Sequence, residues 1–295
     1  MGDEEMGTQP QNRQEILRRI AGSTHISHAV AVRYHPDSIP VYFSAQGGCP
    51  YATFRQENMT TLAKALSSPS PYCNLRLPDD EDRRPALLPL AVAIAQNKTC
   101  TTLKLHDAWF TARSVPLLTT ALKENSHLRT LSLDDNTMGD TGLVLLLGAL
   151  LDHPLEKLSL HATGLTKASA PYLKRFLEKN TILTSLDASF NELGDEGMTH
   201  LGLALTKNAS LQRLGLCVNG ITNRGATNFA KLGLAHNNTL SFLKLHSNQI
   251  THDGAVALFE NSCKTLAISL FWNSGASAKI RQHIGDSTAS RINFG

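Results

Sequence analysis

Apolar residues recur along most of the chain in a nine-place pattern. Places 1, 4 and 6 are apolar, and place 9 is asparagine or a stand-in for it. The clearest copies begin at Leu128, Leu183, Leu211 and Leu240 and end at Asn136, Asn191, Asn219 and Asn248. Weaker copies begin at Tyr72, Cys100, Leu155 and Thr265 and end at Asp80, Ala108, Thr163 and Asn273. Place 9 therefore advances in steps of 28, 28, 27, 28, 28, 29 and 25 residues, and Thr265 alone breaks the apolar rule. A fixed step of this length marks stacked repeats.

The elements of one repeat follow from the spacing. Apolar residues two apart predict a short strand with one buried face. The place-9 amide is expected to serve backbone groups where the chain leaves the strand. Asp80 and Thr163 can do this in part and Ala108 cannot, so looser turns are expected toward the N-terminal end. An apolar residue follows two places on (Phe110, Met138, Leu165, Leu193, Ile221, Ile250). Next comes an expected helix cap, at Thr111, Gly139, Thr166, Gly194, Thr222 or Thr251. Gly142, Gly197, Gly225 and Gly254 recur three residues later, where a missing side chain would let the helix approach its strand. Helical spacing of apolar residues continues over 142–151, 197–205 and 225–234. A strand, a turn and a helix cannot bury their own apolar faces alone. The expected fold is therefore an α/β solenoid, a horseshoe arc with parallel strands on the concave face and helices on the convex face.

Stretches such as "LTSLDASFNELGDEG" (183–197) and "LQRLGLCVNGITNRG" (211–225), with helices ending in "AL..N", resemble the ribonuclease-inhibitor type of leucine-rich repeat. The resemblance covers residues 72–284. The same subtype occurs in ribonuclease inhibitor, in the sensor arms of NOD-like receptors, in the Ran GTPase-activating protein and in ciliary and germ-cell proteins. A narrower resemblance, to a single member of the repeat family, rests on "IPVYFSAQGG" and "SLFWNSG". No nucleotide-binding module accompanies the repeats in these 295 residues, so an intact NOD-like receptor is not expected.

Around the repeats the chain divides into a flexible segment (1–25), an N-terminal cap (26–71), about eight repeats (72–275) and a C-terminal cap and tail (276–295). Strand pieces are expected at 29–34 and 41–43, a capping helix at 276–284 and a loose tail at 286–295.

Composition narrows the function classes. A net charge of +3 is too small to argue for nucleic acid. No run approaches the ~18 apolar residues of a membrane-spanning helix. The N-terminus has no apolar signal region. Five dispersed cysteines form no CxxC pair, so neither a disulfide frame nor a zinc site is indicated. A reducing compartment is expected, the cytoplasm first, with nucleus and cilium left open. Glycosylation-like triplets at Asn58, Asn97, Asn208 and Asn237 read as chance matches. No motif of a known enzyme class occurs, and no cofactor or metal is indicated.

Function then rests on the face that the strands present. Places 3, 5 and 7 point away from the core, and place 8 lies at the rim. The candidate partner-binding residues are Lys104, His106, Asp134, Lys157, His161, Asp187, Phe190, Arg213, Phe242, Lys244, His246 and Trp272. Aromatic residues beside Arg213 and Lys244 suit a docking patch, although Phe271 and Trp272 also suit a seal over the last repeat. His106, Asp134 and His161 share place 7 of successive repeats, and an Asp between two His could steady both or hold a metal; ordinary surface polarity is the plainer reading. Cys217, on the same face, has no obvious base. The expected function is a non-catalytic scaffold for a protein partner with an acidic edge and an apolar centre. The alternative is a regulator of a small GTPase, as the resemblance to the Ran GTPase-activating protein implies. The last ten residues hold one Asp and one Arg, whereas that family carries an acidic tail.

Overall fold

The computed structural model describes residues 84–106 and 110–273, and the backbone of Tyr42–Phe43, Tyr72–Arg76 and Ile292–Asn293. One ten-stranded sheet runs in chain order: β1 (Tyr42–Phe43), β2 (Tyr72–Arg76), β3 (Thr102–Leu105), β4 (Thr130–Ser132), β5 (Lys157–Ser159), β6 (Ser185–Asp187), β7 (Arg213–Gly215), β8 (Phe242–Lys244), β9 (Ala267–Ser269) and β10 (Ile292–Asn293). β1 is antiparallel to β2, and every later pairing is parallel. The helices between them are α1 (Arg84–Gln96), α2 (Val115–Glu124), α3 (Gly139–Leu150), α4 (Ala170–Lys179), α5 (Gly194–Leu205), α6 (Asn223–Leu232) and α7 (His252–Glu260).

The register follows the sequence pattern place for place. Leu103, Leu131, Leu158, Leu186, Leu214, Leu243 and Ile268, all at place 4, pair across successive strands and are buried. Neighbouring strands sit ~4.8 Å apart, whereas packed helices need ~8–10 Å. Repeats that join one strand to one helix must therefore splay on the helix side, which puts the sheet on the inner wall of the arc. Expected place 1 of the last repeat is corrected: Thr265 is exposed and Leu266 beside it enters the core. β10 lies in the stretch expected as a loose tail, and it extends the sheet past β9. The expected strand piece at 29–34, the helix at 276–284 and the turns at Asp80 and Ala108 lie outside the described residues.

Two asparagine ladders stitch the repeats. At place 9, Asn191 donates to the carbonyls of Leu160, Ala188 and Ser189 and accepts from the amides of Thr163 and Leu165, so it bridges two repeats. Thr163, the stand-in, contributes only a hydroxyl bond to the Leu160 carbonyl. The second ladder stands at the helix ends, at Asn97, Asn125, Asn180, Asn208 and Asn237, all buried. Each side-chain oxygen accepts the amides two and three residues on, as Asn208 does from Ser210 and Leu211. The side-chain nitrogen of Asn208 reaches the preceding repeat at the carbonyls of Leu177 and Asn180. Asn97, Asn208 and Asn237 are also three of the four glycosylation-like triplets. Their match arises because the helix-end asparagine precedes a Ser or Thr in the turn, and their amides are already spent inside the core.

The expected caps divide into three kinds. Thr222 caps α6 through its hydroxyl, and Thr166 caps a short 3-10 turn (Lys167–Ser169) ahead of α4. Gly139 and Gly194 are not hydroxyl-type caps: they hold φ of +59° and +58°, which glycine adopts without steric cost. Thr111 precedes a turn, and α2 begins only after Ser114, while Thr251 starts α7 without a hydroxyl cap because its hydroxyl accepts the Asn223 side-chain amide. The work of capping passes between repeats instead. Asp195, at the start of α5, accepts the Thr222 amide and hydroxyl at 2.8 Å each, and Asp140 does the same for Thr166. Burial works against the charge on both carboxylates, but hydrogen bonds from Ser169 and then Thr166 to Asp140, and from Thr222 and Gly225 to Asp195, outweigh it and hold them below the usual range. Of the recurring glycines, Gly225 and Gly254 answer to the same seam, whereas a Cβ on Gly142 or Gly197 would first meet Met138 or Leu193 of its own turn. A Cβ on Gly225 would meet the Asp195 backbone at 2.8 Å.

Place 8 carries a backbone feature that no apolar pattern announces. Asp135, Ala162, Phe190, Val218, Ser247 and Trp272 all hold φ between +49° and +59°. Val218 is the least suited, because a β-branched side chain crowds the left-handed region. Val218→Asn is expected to raise unfolding free energy by about 1 kcal/mol, since Asn tolerates this conformation. Urea denaturation followed by circular dichroism reads the change.

Candidate functional site

The strands carry their outward residues on a rigid ladder, so the site is a surface whose spacing the sheet fixes. The twelve sequence candidates all fall on this face, and the structure gathers them into three groups.

The first group spans β3 to β6. His106 Nε2 lies 2.9 Å from Ser132 Oγ and 3.4 Å from Asp134 Oδ2. Asp134 Oδ1 also accepts the Ser159 hydroxyl at 2.5 Å and the His161 amide at 3.3 Å. The His161 ring turns the other way, with Nδ1 at 3.9 Å from Asp135 and its ring 4.4 Å from that of Phe190. Asp134 thus does not sit between two imidazoles. Among the described residues no three His, Cys, Asp or Glu are grouped to hold a metal. Lys104 and Lys157 stand on the same face, half-buried and exposed.

The second group is a shallow floor. Small residues at places 5 and 7 are covered by larger neighbours, so Ser189, Gly215 and Cys217 are buried despite their outward direction. Asp187 lies over Gly215, where even a Cβ would meet its carboxylate at 2.7 Å, and it accepts the Ser189 amide at 3.0 Å. The expectation of a thiol presented on the concave surface is corrected here. Burial pushes the Cys217 thiol up, which keeps it protonated and unreactive.

The third group spans β7 to β9. The Arg213 guanidinium lies 4.9 Å and the Lys244 ammonium 5.9 Å from the centre of the Phe242 ring, a double cation–π arrangement. His246 Nε2 is 2.5 Å from Ser269 Oγ, and its ring meets Phe271 edge-on at 4.8 Å and Trp272 at 6.5 Å. Burial and then the Lys244 charge hold His246 below its ordinary pKa, so it faces solvent as a neutral ring. Trp272 is 81% and Phe190 52% exposed, the highest values among large apolar residues of the described chain. Phe190 sits in mid-solenoid, where no end needs sealing.

Sequence reasoning missed Asp135 and the serines that orient the histidines. An Asp at the rim and a Ser on the strand next to His106 and His246 were the available signals.

A strand–turn–helix solenoid with an asparagine ladder defines a leucine-rich-repeat protein. A family model for the leucine-rich repeat matches residues 124–147, 179–202 and 236–259. Mouse ribonuclease inhibitor is 33% identical over 192 residues, 61% of this chain and 41% of that protein. Pig ribonuclease inhibitor is 34% identical over 161 residues, 53% of this chain and 35% of that one. Human NACHT, LRR and PYD domains-containing protein 12 is 36% identical over 179 residues, 58% of this chain and 17% of its own length. Among solved structures, the tropomodulin C-terminal domain of Caenorhabditis elegans has a TM-score of 0.37 and 16% identity, covering 54% of this chain and 82% of that one, and bears on nothing further. The chain spans less than half the length of these curated relatives. Its repeats are leucine-rich repeats of the ribonuclease-inhibitor type.

Proposed function

We propose that the chain is a non-catalytic scaffold that binds a protein partner on its inner sheet face. The observation that carries this reading is the Arg213–Phe242–Lys244 stack beside exposed Trp272, on strands that cannot rearrange cheaply. Cations held over a ring keep part of their charge facing solvent, so the patch suits a partner with an acidic edge around an apolar centre. A standard interface needs ~800 Å² from each side, which several adjacent repeats can supply, and a preformed surface loses little entropy on docking. The groups at His106–Asp134 and His161–Phe190 extend the same face toward the N-terminal repeats. In this reading 26–71 and 276–295 act as end caps, and the protein works in a reducing compartment such as the cytoplasm. The free thiol of Cys217 is in keeping with that.

Proximity labelling in the native cell supplies a partner, and calorimetry then compares wild type with the R213E/F242D variant. Because hot-spot truncations cost roughly 2–4 kcal/mol, at least a 30-fold loss of affinity is expected while the circular dichroism spectrum stays unchanged. Equal affinity in a folded variant refutes the patch.

A further inference from the structure

One rung of the helix-end ladder is missing. Asn97, Asn125, Asn180, Asn208 and Asn237 hold it elsewhere, and His153 stands in the place between Asn125 and Asn180. The 27-residue step originates here: place 1 follows the helix-end residue by three positions in those repeats but by two at His153–Pro154–Leu155. Pro154 has no amide hydrogen, and the Leu155 amide is taken by the His153 carbonyl at 2.7 Å. The turn therefore has no amides left to offer a side-chain oxygen.

The result is a buried imidazole, 5% exposed, with neither ring nitrogen at hydrogen-bond geometry. A neutral imidazole carries one donor and one acceptor, and an imidazolium carries two donors and a charge. The socket can hold the first at a cost and the second only at a much larger one. The seam is slack on both sides. Asn125 reaches the Ile94 and Asn97 carbonyls at 2.8 and 3.2 Å, but His153 makes no equivalent bridge back to Asn125. Asn180 reaches back only to the Leu150 and Leu151 carbonyls at 3.5 and 3.2 Å.

We propose that the turn at His153 is a proton-sensitive joint, which opens the helix-side seam of repeat 128–153 when the imidazole gains a proton and leaves for water. Of the charges near it, Arg129 opposes a protonated ring. Arg129 belongs to the same repeat and lies 3.9 Å from Glu156 of the next. Asp152, next in the chain, is exposed, and from the following repeat comes uncharged Asn180 with exposed Lys179 beside it. Burial is the main force holding His153 below its ordinary 6.5; the Asn125 backbone offsets part of this and Arg129 adds to it. The sign follows. With the folded pKa depressed, the open turn binds more protons than the closed one, so opening is favoured as pH falls through 6.5 and levels off below the folded value. The strand ladder and the place-9 asparagines stay intact. The joint would loosen the His106–Asp134 half of the inner face relative to the Arg213–Phe242 half.

Hydrogen exchange of the full chain, corrected for intrinsic rates, tests this between pH 7.5 and 5.5. In wild type, opening of residues 150–158 is expected to rise up to about tenfold per pH unit below 6.5. In H153N, whose side chain does not titrate and can reach the Asn125 carbonyl, the same segment should show no such rise. An equal acid rise in H153N, or a flat wild type, overturns the proposal. Should H153N not fold, titration of the His153 ring in wild type by NMR decides: a pKa at or above 6.5 overturns the joint, and a lower one supports it.

Discussion

Replacing Asn191 with alanine is expected to cost about 3–5 kcal/mol of stability, because at least two buried amides lose their acceptor at ~1–3 kcal/mol each. Those amides belong to Thr163 and Leu165, and the carbonyls of Leu160, Ala188 and Ser189 lose a shared donor. Asn191→Asp separates the two roles, since it keeps the acceptor and loses the donor. Repeats touch only their neighbours, so the loss should first uncouple the repeats that meet at residues 160–193. Urea unfolding read by circular dichroism gives the size, and a broadened transition gives the uncoupling. A change below 1 kcal/mol would mean that the ladder only decorates the turns.

Leu214→Ala should cost roughly 3–4 kcal/mol, the range for a fully buried leucine whose cavity cannot collapse. Leu214 is 1% exposed and pairs in register with Leu186 and Leu243, each fixed by its own strand. Arg213, one residue earlier on the same strand, faces solvent. Its replacement by alanine should move stability by no more than about 0.5 kcal/mol. The pair of measurements separates the two faces of one strand: Leu214 reports on folding, and Arg213 on binding. Equal effects at both positions would contradict the alternation on which the inner face depends.

The same alternation explains how much was legible in the chain itself. Side chains on a strand change face at every residue, so apolar places 1, 4 and 6 fixed which residues are buried, and seven strands then paired at place 4 as expected. The asparagine at place 9 was readable for a related reason, because a short amide is the residue type that serves two backbone groups at a strand exit. Thr265 misled because periodicity cannot resolve a one-residue shift in a turn, and Leu266 was free to take the core position.

The candidate site was legible as a face but not as a set of contacts. Place numbers put His106, Asp134 and His161 in one row, yet the ring of His161 turned to Asp135 and Phe190. Side-chain rotamers answer to neighbours on the next strand, and those neighbours carry no periodic signal. Arg213 and Lys244 appeared in the sequence as two charges and in the structure as two cations over one phenylalanine ring. The sequence alone determined the repeat, its register and the direction of each strand side chain, because these follow from periods of two and twenty-eight. Only the tertiary structure decided that place 8 is left-handed, that Asp195 holds the cap residue of the next repeat's helix, and that His153 is buried with neither ring nitrogen at hydrogen-bond geometry. Each of these depends on a neighbouring repeat about 28 residues away, and contact at that range is made by stacking rather than by local pattern.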